Sequence, residues 1–407
     1  MGFWSRSRKA GAVYVVLGLF AFVFFGLIKP AGAEVVLKLT DGTSFSFGPR
    51  PVVIVLGLLT VAAGAALLAG KEWFPAATAV ALLGFVGAFM LWAVSLAKTG
   101  HTIYAIDLVN GTLLAALPLI FGSLGGVLCE RSGVVNINIE GQLLVGAFGG
   151  ALFGTLTNNV WIGILAGALF GALMAALLAV FAIKYLVDQV VLGVILNVLA
   201  LGITGVIYER LMQPDAAHYN TPPKLANWNI PLLADIPFLG PALFRSNLFV
   251  YLALVLVAVV TFGLFRTRWG LRTRAVGEHP TAADTVGIKV RAVRYRNVIL
   301  GGLVAGLGGA ALTLGANLTF NKNMTAGKGF IALAAVIFGR WSPTGALGAA
   351  LLFGFADKLQ IVLNSTQSPI PSDFLRMAPY IATLFAVAGL VGKVRAPAAD
   401  GKPYVKG

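Results

Sequence analysis

Charge is scarce in this sequence: only 11% of its 407 residues are charged, against 58% that are hydrophobic. A water-exposed fold could not hide that much apolar surface. Cysteine occurs once, as Cys129 at the end of an apolar run, so there is no disulfide framework and no thiolate metal spacing, and a buried, inert thiol is expected. The three histidines, His101, His218 and His279, all map to loops. A proton-coupled carrier usually buries several acidic or histidine side chains in successive helices, so that reading is weakened. There is no HExxH motif and no nucleophile-and-base constellation, so no catalytic residue, metal or cofactor is expected. A glycine-rich loop ending in GKS or GKT is also missing, which means that ATP, if used, binds on another chain. Acidic residues number 15 against 30 Lys and Arg, a net charge of +15. The basic residues sit in short stretches between apolar runs rather than on one soluble face, which points to membrane orientation and away from nucleic acid.

What is present is apolar sequence in runs of about 20 residues, the length of helix that crosses a bilayer. They fall at about 11–28, 51–69, 73–97, 104–128, 138–157, 161–183, 187–209, 248–265, 297–316, a short one at 329–338, then 344–363 and 378–392. The fold class is all-α: a polytopic membrane protein of about 10 to 12 transmembrane helices, with the lipid bilayer as its solvent. Arg6, Arg8 and Lys9 precede the first run and Ala31-Gly32-Ala33 resembles a signal-peptidase site. That run is longer than a signal core, so an uncleaved first helix is expected. From a cytoplasmic N-terminus, alternation places 266–296 inside with Arg266, Arg268, Arg272, Arg274, Lys289, Arg291, Arg294 and Arg296, and the C-terminal tail with Lys393, Arg395, Lys402 and Lys406 likewise. The Pro-rich stretch 210–247 falls outside. Between the first two runs, Val35 to Phe47 alternates around Asp41-Gly42, the pattern of a small hairpin, here on the outer face.

Glycine is placed at four-residue intervals on single helix faces, at Gly163, Gly167 and Gly171 followed by Ala175, and at Gly302 and Gly306, where small residues let helix backbones approach closely. Two regions interrupt the apolar pattern: Glu130 to Gln142, and Asn321 to Trp341 with Gly327-Lys328-Gly329-Phe330 and a short apolar run inside it. Their pairing suggests an internal repeat. Broken segments in both halves of a membrane chain point to a transport route, because unwound backbone survives at membrane depth only against protein or water. Asn136, Asn138, Glu140, Gln142 and Phe330 then border that route. Asn136, Asn138 and Glu140 serve equally well as caps and ties between helices, and the aromatic residues as core or interface belt. A buried Glu140 demands a partner. Asp357 and Lys358 read as a pair near the headgroups.

The inside stretch Arg272-Thr273-Arg274-Ala275-Val276-Gly277-Glu278-His279-Pro280-Thr281-Ala282-Ala283-Asp284-Thr285-Val286-Gly287 holds a short helix over 281–286, opened by Pro280 and stopped by Gly287. This stretch resembles the coupling loop of importer permeases of the ATP-binding cassette class. Ser132 to Gly141 and Gly329 to Arg340 add to the likeness. Over roughly 104–392 the chain resembles the branched-chain amino acid, ribose and nucleoside permease family, and most closely its nucleoside members. The resemblance implies docking on an ATPase through Glu278, Ala282, Ala283 and Gly287. It also implies an ATPase subunit, a second permease subunit and an extracytoplasmic binding lipoprotein as partners, in the bacterial plasma membrane. Three regions are expected: 1–100, an N-terminal transmembrane extension with the hairpin; 101–396, a permease core; and 397–407, a cytoplasmic tail. A ribose or amino acid permease, or a channel or secondary carrier, is the alternative.

Overall fold

A computed structural model describes residues 6–29, 32–40, 42–70, 73–371, 374, 377 and 395–405. The span expected at 378–392, together with Ala31, Asp41, Lys393 and Lys406, lies outside the described residues. Among those described, 10 helices are long and apolar enough to cross a membrane, and the polytopic all-α reading holds. In chain order the helices are α1 (Arg6–Phe20), α2 (Pro49–Leu68), α3 (Phe74–Ser95), α4 (Ala105–Glu130), α5 (Ile139–Leu156), α6 (Val160–Ala179), α7 (Gln189–Ile207), the single turn α8 (Ala216–Tyr219), α9 (Leu248–Arg266), α10 (Arg268–Glu278), α11 (Pro280–Thr285), α12 (Val290–Ala310), α13 (Lys328–Phe338) and α14 (Pro343–Ser365). Widened turns, in which the hydrogen-bond ladder is loosened, continue α1 over Ala21–Ile28, α6 over Val180–Lys184, α7 over Tyr208–Met212 and α12 over Ala311–Asn317.

Helix starts follow from local chemistry. Proline in the first turn opens α2, α3 and α11, where its missing N–H is no loss. Asp188 caps α7, its carboxylate accepting from the N–H groups of Val190 and Val191, each at 2.9 Å. Asn159 and Asn247 do the same for α6 and α9.

The chain divides into two compact units. One comprises Met1–Gly111, Asp235–Leu243 and Phe355–Lys393. In it α1 lies on α2 with glycines in contact: a methyl group placed on Gly11 would sit 2.6 Å from the Gly64 carbonyl oxygen. Strands β1 (Val35–Thr40) and β2 (Thr43–Phe47) pair antiparallel, and β3 (Thr102–Tyr104) joins β1 in parallel. Lys358, read from the sequence as the companion of Asp357, instead reaches Asp107 at 2.7 Å, because adjacent residues on a helix do not face each other.

The other unit comprises Thr112–Ala234, Phe244–Gly354 and Val394–Gly407, and its core is α5, α6 and α12. The small-residue faces of α6 and α12 meet each other, a pairing that the spacing of the glycines did not name. A methyl on Gly171 would lie 2.4 Å from the Gly302 carbonyl oxygen, and one on Gly306 2.3 Å from that of Gly167, so α6 and α12 run antiparallel with backbone against backbone. Outward, α7 presents Val190, Val194, Ile195 and Val198, and α9 presents Leu254, Val255 and Phe262, faces suited to hydrocarbon. The Pro-rich stretch is pinned by a strand pair, β4 (Asn227–Asn229) with β5 (Arg245–Asn247). The two breaks in this unit differ in build, and the fold does not establish the internal repeat.

Candidate functional site

The first break joins α4 to α5 over 131–138. Gly133 makes the turn at a φ of 86°, a left-handed conformation that side chains resist. Beyond it Asn136 and Gln142, both fully buried, clasp each other: Asn136 Nδ2 donates to Gln142 Oε1 at 3.0 Å and Gln142 Nε2 donates to Asn136 Oδ1 at 3.2 Å. Asn138 donates to the Met174 carbonyl at 3.4 Å and leaves its Oδ1 buried without a partner. Two residues of α7 tie down the remaining backbone. Asn197 donates to the Ile137 carbonyl at 2.9 Å and accepts from the Gly141 N–H at 2.7 Å, while Gln189 accepts from the Val135 N–H at 2.7 Å.

The second break carries the 11-residue α13, and residues flanking the first break hold it at both ends. At its start, Glu140 Oε1 accepts from the Thr325 hydroxyl at 2.6 Å and from the Gly327 N–H at 2.8 Å, and Oε2 accepts from the Gly329 N–H at 2.6 Å. A carboxylate here answers the unpaired N–H groups of the first turn and the positive end of the helix. The partner that a buried Glu140 requires is therefore a hydroxyl and two backbone amides rather than a cation. Gly329 packs so tightly that a methyl on it would meet the Glu140 nitrogen at 2.3 Å. At the far end Arg340 and Trp341 are left-handed, with φ of 57° and 52°, a costly pair for non-glycine residues. They are held by the Trp341 indole N–H donating to the Glu130 carboxylate and by Arg131 Nε donating to the Trp341 carbonyl at 2.8 Å. Of the residues expected along the route, Asn136, Asn138, Glu140 and Gln142 are buried in this junction, and Phe330 is 44% exposed.

The loop between α9 and α12 folds as α10 and α11, with Gly287 ending α11 at a φ of 82°. Glu278, Ala282 and Gly287 are exposed. Ala283, in contrast, is buried against Val276, Val290 and Tyr404. Gly277 rests on the first break, where a methyl would lie 2.3 Å from the Arg131 carbonyl oxygen. The tail is laid over this loop. Ala399 N–H donates to the Gly277 carbonyl at 2.8 Å, Ala398 N–H to the Glu278 carboxylate at 3.2 Å, and Arg294 Nη1 to the Lys402 carbonyl at 2.9 Å. Burial pushes the Asp400 carboxyl up to about 7, against the downward pull of the Gly401 amide and the Arg294 guanidinium.

The family model described as the branched-chain amino acid transport system, permease component, matches residues 108–388. The chain belongs to that family. This permease is 45% identical to the guanosine ABC transporter permease protein NupQ of Bacillus subtilis over 309 residues, 74% of this chain and 97% of the relative. It is 41% identical to the nucleoside ABC transporter permease protein NupC of Lactococcus lactis, over 74% of this chain and 96% of the relative. It is 25% identical to a second Bacillus subtilis protein, the guanosine ABC transporter permease protein NupP, over 72% of this chain and 86% of the relative. No solved structure matches the permease.

Sequence reasoning missed several residues that build the permease's junction. Asn197 carried a usable signal, an amide in the middle of the otherwise apolar α7, where polar side chains seek partners on other helices. Arg294 carried a misleading one. Counted among the basic residues of the loop, it lies within α12 at 2% exposure. Glu130 and Arg131 were visible as part of the break, but nothing in their spacing foretells Trp341.

Proposed function

We propose that this permease is one of two membrane-spanning subunits of an ATP-driven nucleoside importer in the bacterial plasma membrane. The relatives named for guanosine and nucleoside transport support the substrate class. NupQ and NupP, two different Bacillus subtilis proteins named for the same cargo, support pairing with a second, dissimilar permease. An ATPase subunit and an extracytoplasmic binding lipoprotein complete the assembly, with both termini cytoplasmic. Residues 1–100 form an N-terminal extension, 101–396 the transporting core, and 397–407 the tail.

The observation that carries the coupling reading is the seat of Gly277 on the Arg131 carbonyl. A partner ATPase engaging the exposed Glu278, Ala282 and Gly287 would press on the first break through that contact, while Ala283 sets the inner side of the helix. The route is bordered by Asn136, Asn138, Glu140, Gln142 and Phe330. In the conformation described, the Asn136–Gln142 clasp and the Glu140 cap are closed, so alternating access requires the clasp to part or α13 to lift from Glu140. Neutral amides and an aromatic ring suit an uncharged, hydrogen-bonding ring compound.

The test is uptake of labelled guanosine by cells lacking the gene and by cells carrying it again, with unlabelled uridine, ribose and leucine as competitors. Uptake restored by the gene and competed by uridine is expected. Competition by ribose or leucine alone overturns the nucleoside assignment, and uptake indifferent to the gene or to ATP overturns the importer reading.

A further inference from the structure

We infer that the C-terminal stretch Ala398–Tyr404 belongs to the coupling apparatus, tying α11 to the first break, and that Tyr404 is a positioning residue for α11. The inference rests on the reading of α11 as the element that meets the ATPase.

The stretch has two faces. Toward the loop, its backbone N–H groups at Ala399 and Ala398 hold the Gly277 carbonyl and the Glu278 carboxylate. Tyr404, 7% exposed, fills the cluster of Val276, Ala283 and Val290, and the negative charge of Asp284 on α11 acts on its hydroxyl. Toward the break, the Ala399 carbonyl occupies the space where a side chain on Gly133 would lie: a methyl there would meet that oxygen at 3.1 Å and Arg294 Nη2 at 2.8 Å. A methyl on Gly401 would lie 3.3 Å from Val135 Cγ2. Between the two faces runs Arg294, buried and donating to the Lys402 carbonyl at 2.9 Å.

A helix of 6 residues such as α11 has no stability of its own, so its angle is set by what it leans on. On the inner side that is Ala283 against the Tyr404 ring. A push on α11 therefore reaches Gly133 by way of the tail as well as through Gly277, and from the first break it reaches α13, whose far end is held by Glu130 and Arg131. The stretch is too polar to be held by apolar burial alone. Backbone hydrogen bonds, the Arg294 guanidinium and a single ring keep it in place, so cutting the stretch away also strands Arg294 of α12, whereas a change at Tyr404 alone leaves that contact intact.

The experiment uses the whole transporter, purified through a tag on the N-terminus of this chain and reconstituted in vesicles, with uptake and ATP hydrolysis measured together. The variants are Tyr404→Ala, Tyr404→Phe and a chain ending after Pro397. We expect uptake per ATP hydrolysed to fall about 2- to 30-fold in Tyr404→Ala and at least as far in the truncation, with KM for the cargo unchanged. Tyr404→Phe, which keeps the ring, should restore most of the ratio. An unchanged ratio in Tyr404→Ala overturns the inference, and it decides the matter even if the truncated chain fails to assemble. Ala282→Arg, on the exposed side of α11, separates the two readings. Intact coupled uptake in that variant means that α11 is not the docking element. Lost uptake in Ala282→Arg beside a normal ratio in Tyr404→Ala sinks the role of the tail alone.

Discussion

At 131–138 the chain leaves one full-length helix and enters another, and a reciprocal pair of amides fills the gap. At the second break it carries a helix of 11 residues between two irregular stretches, and a carboxylate from α5 fills the gap instead. The amides chiefly serve each other, Asn136 also donating to Cys129 Sγ at 3.4 Å, so removing both together strands fewer buried groups than removing one. Glu140 serves the Thr325 hydroxyl and the amides of Gly327 and Gly329, so removing it leaves three donors without their acceptor. A short helix that cannot hold itself in place is fastened by an acceptor from elsewhere, whereas two long helices need only a local clasp.

The sharpest way to break this contrast is Glu140→Ala. It strands a hydroxyl and two amides at about 1–3 kcal/mol apiece, so a loss of about 3 kcal/mol or more is expected, read as a lower Tm of the detergent-solubilised protein together with loss of uptake. A Tm equal to wild type would show that α13 stands without its cap. Next in size is Asn136→Leu, which leaves Gln142 unpaired in the interior and should cost about 1–3 kcal/mol. The double variant with Gln142→Leu should cost less than the sum of the two single changes, and strict additivity in this cycle would refute the clasp. Asn197→Ala removes one donor and one acceptor from the backbone of the first break and should cost about 1–2 kcal/mol, with no effect of its own on the cap of α13.

The last effect concerns the tail that leans on the first break, and it is read as a change with pH rather than as a loss of stability. Asp400 faces Glu130 and Cys129 at the end of α4 and Arg294 of α12, and its carboxyl stands at about 7 when docked against an ordinary 3.8. Below that ordinary value both docked and free carboxyls hold their proton, and docking is undisturbed. Above it only the docked form keeps its proton, so docking weakens as pH rises toward about 7. Amide-exchange protection at Ala398 and Ala399 should therefore be lower at pH 8 than at pH 5 after correction for intrinsic rates. Asp400→Asn should flatten that dependence, and a pH-independent wild type would contradict it.

The sequence made the spans legible through length and apolarity, and α11 through Pro280 and Gly287, because each of these signals is local. Close packing on the glycine faces of α6 and α12 was legible for the same reason, since glycines at four-residue spacing have one obvious use, but that the two faces meet each other was not. Trp341 on Glu130, Asn197 on Ile137 and Tyr404 on Ala283 were not, since each pairs residues far apart in the chain whose meeting depends on the finished packing. The tail shows no periodicity from which docking could be read. Glu140 falls between the two cases: its need for a partner follows from burial of charge, yet its choice of backbone amides over a cation is visible only once α13 stands beside α5.

The seam between α6 and α12 constrains the machine in another way. Where main chain touches main chain there are no side chains to re-sort and no slack to compress, so in the alternating access proposed above the two rods would travel as one plank. Bending must then occur beyond the plank, and the antiparallel arrangement puts a loosened turn at each of its ends, Val180–Lys184 at one and Ala311–Asn317 at the other. A single bulky residue on the seam, such as Gly306→Val, would unseat the plank, whereas changes within those end turns would alter how far it swings.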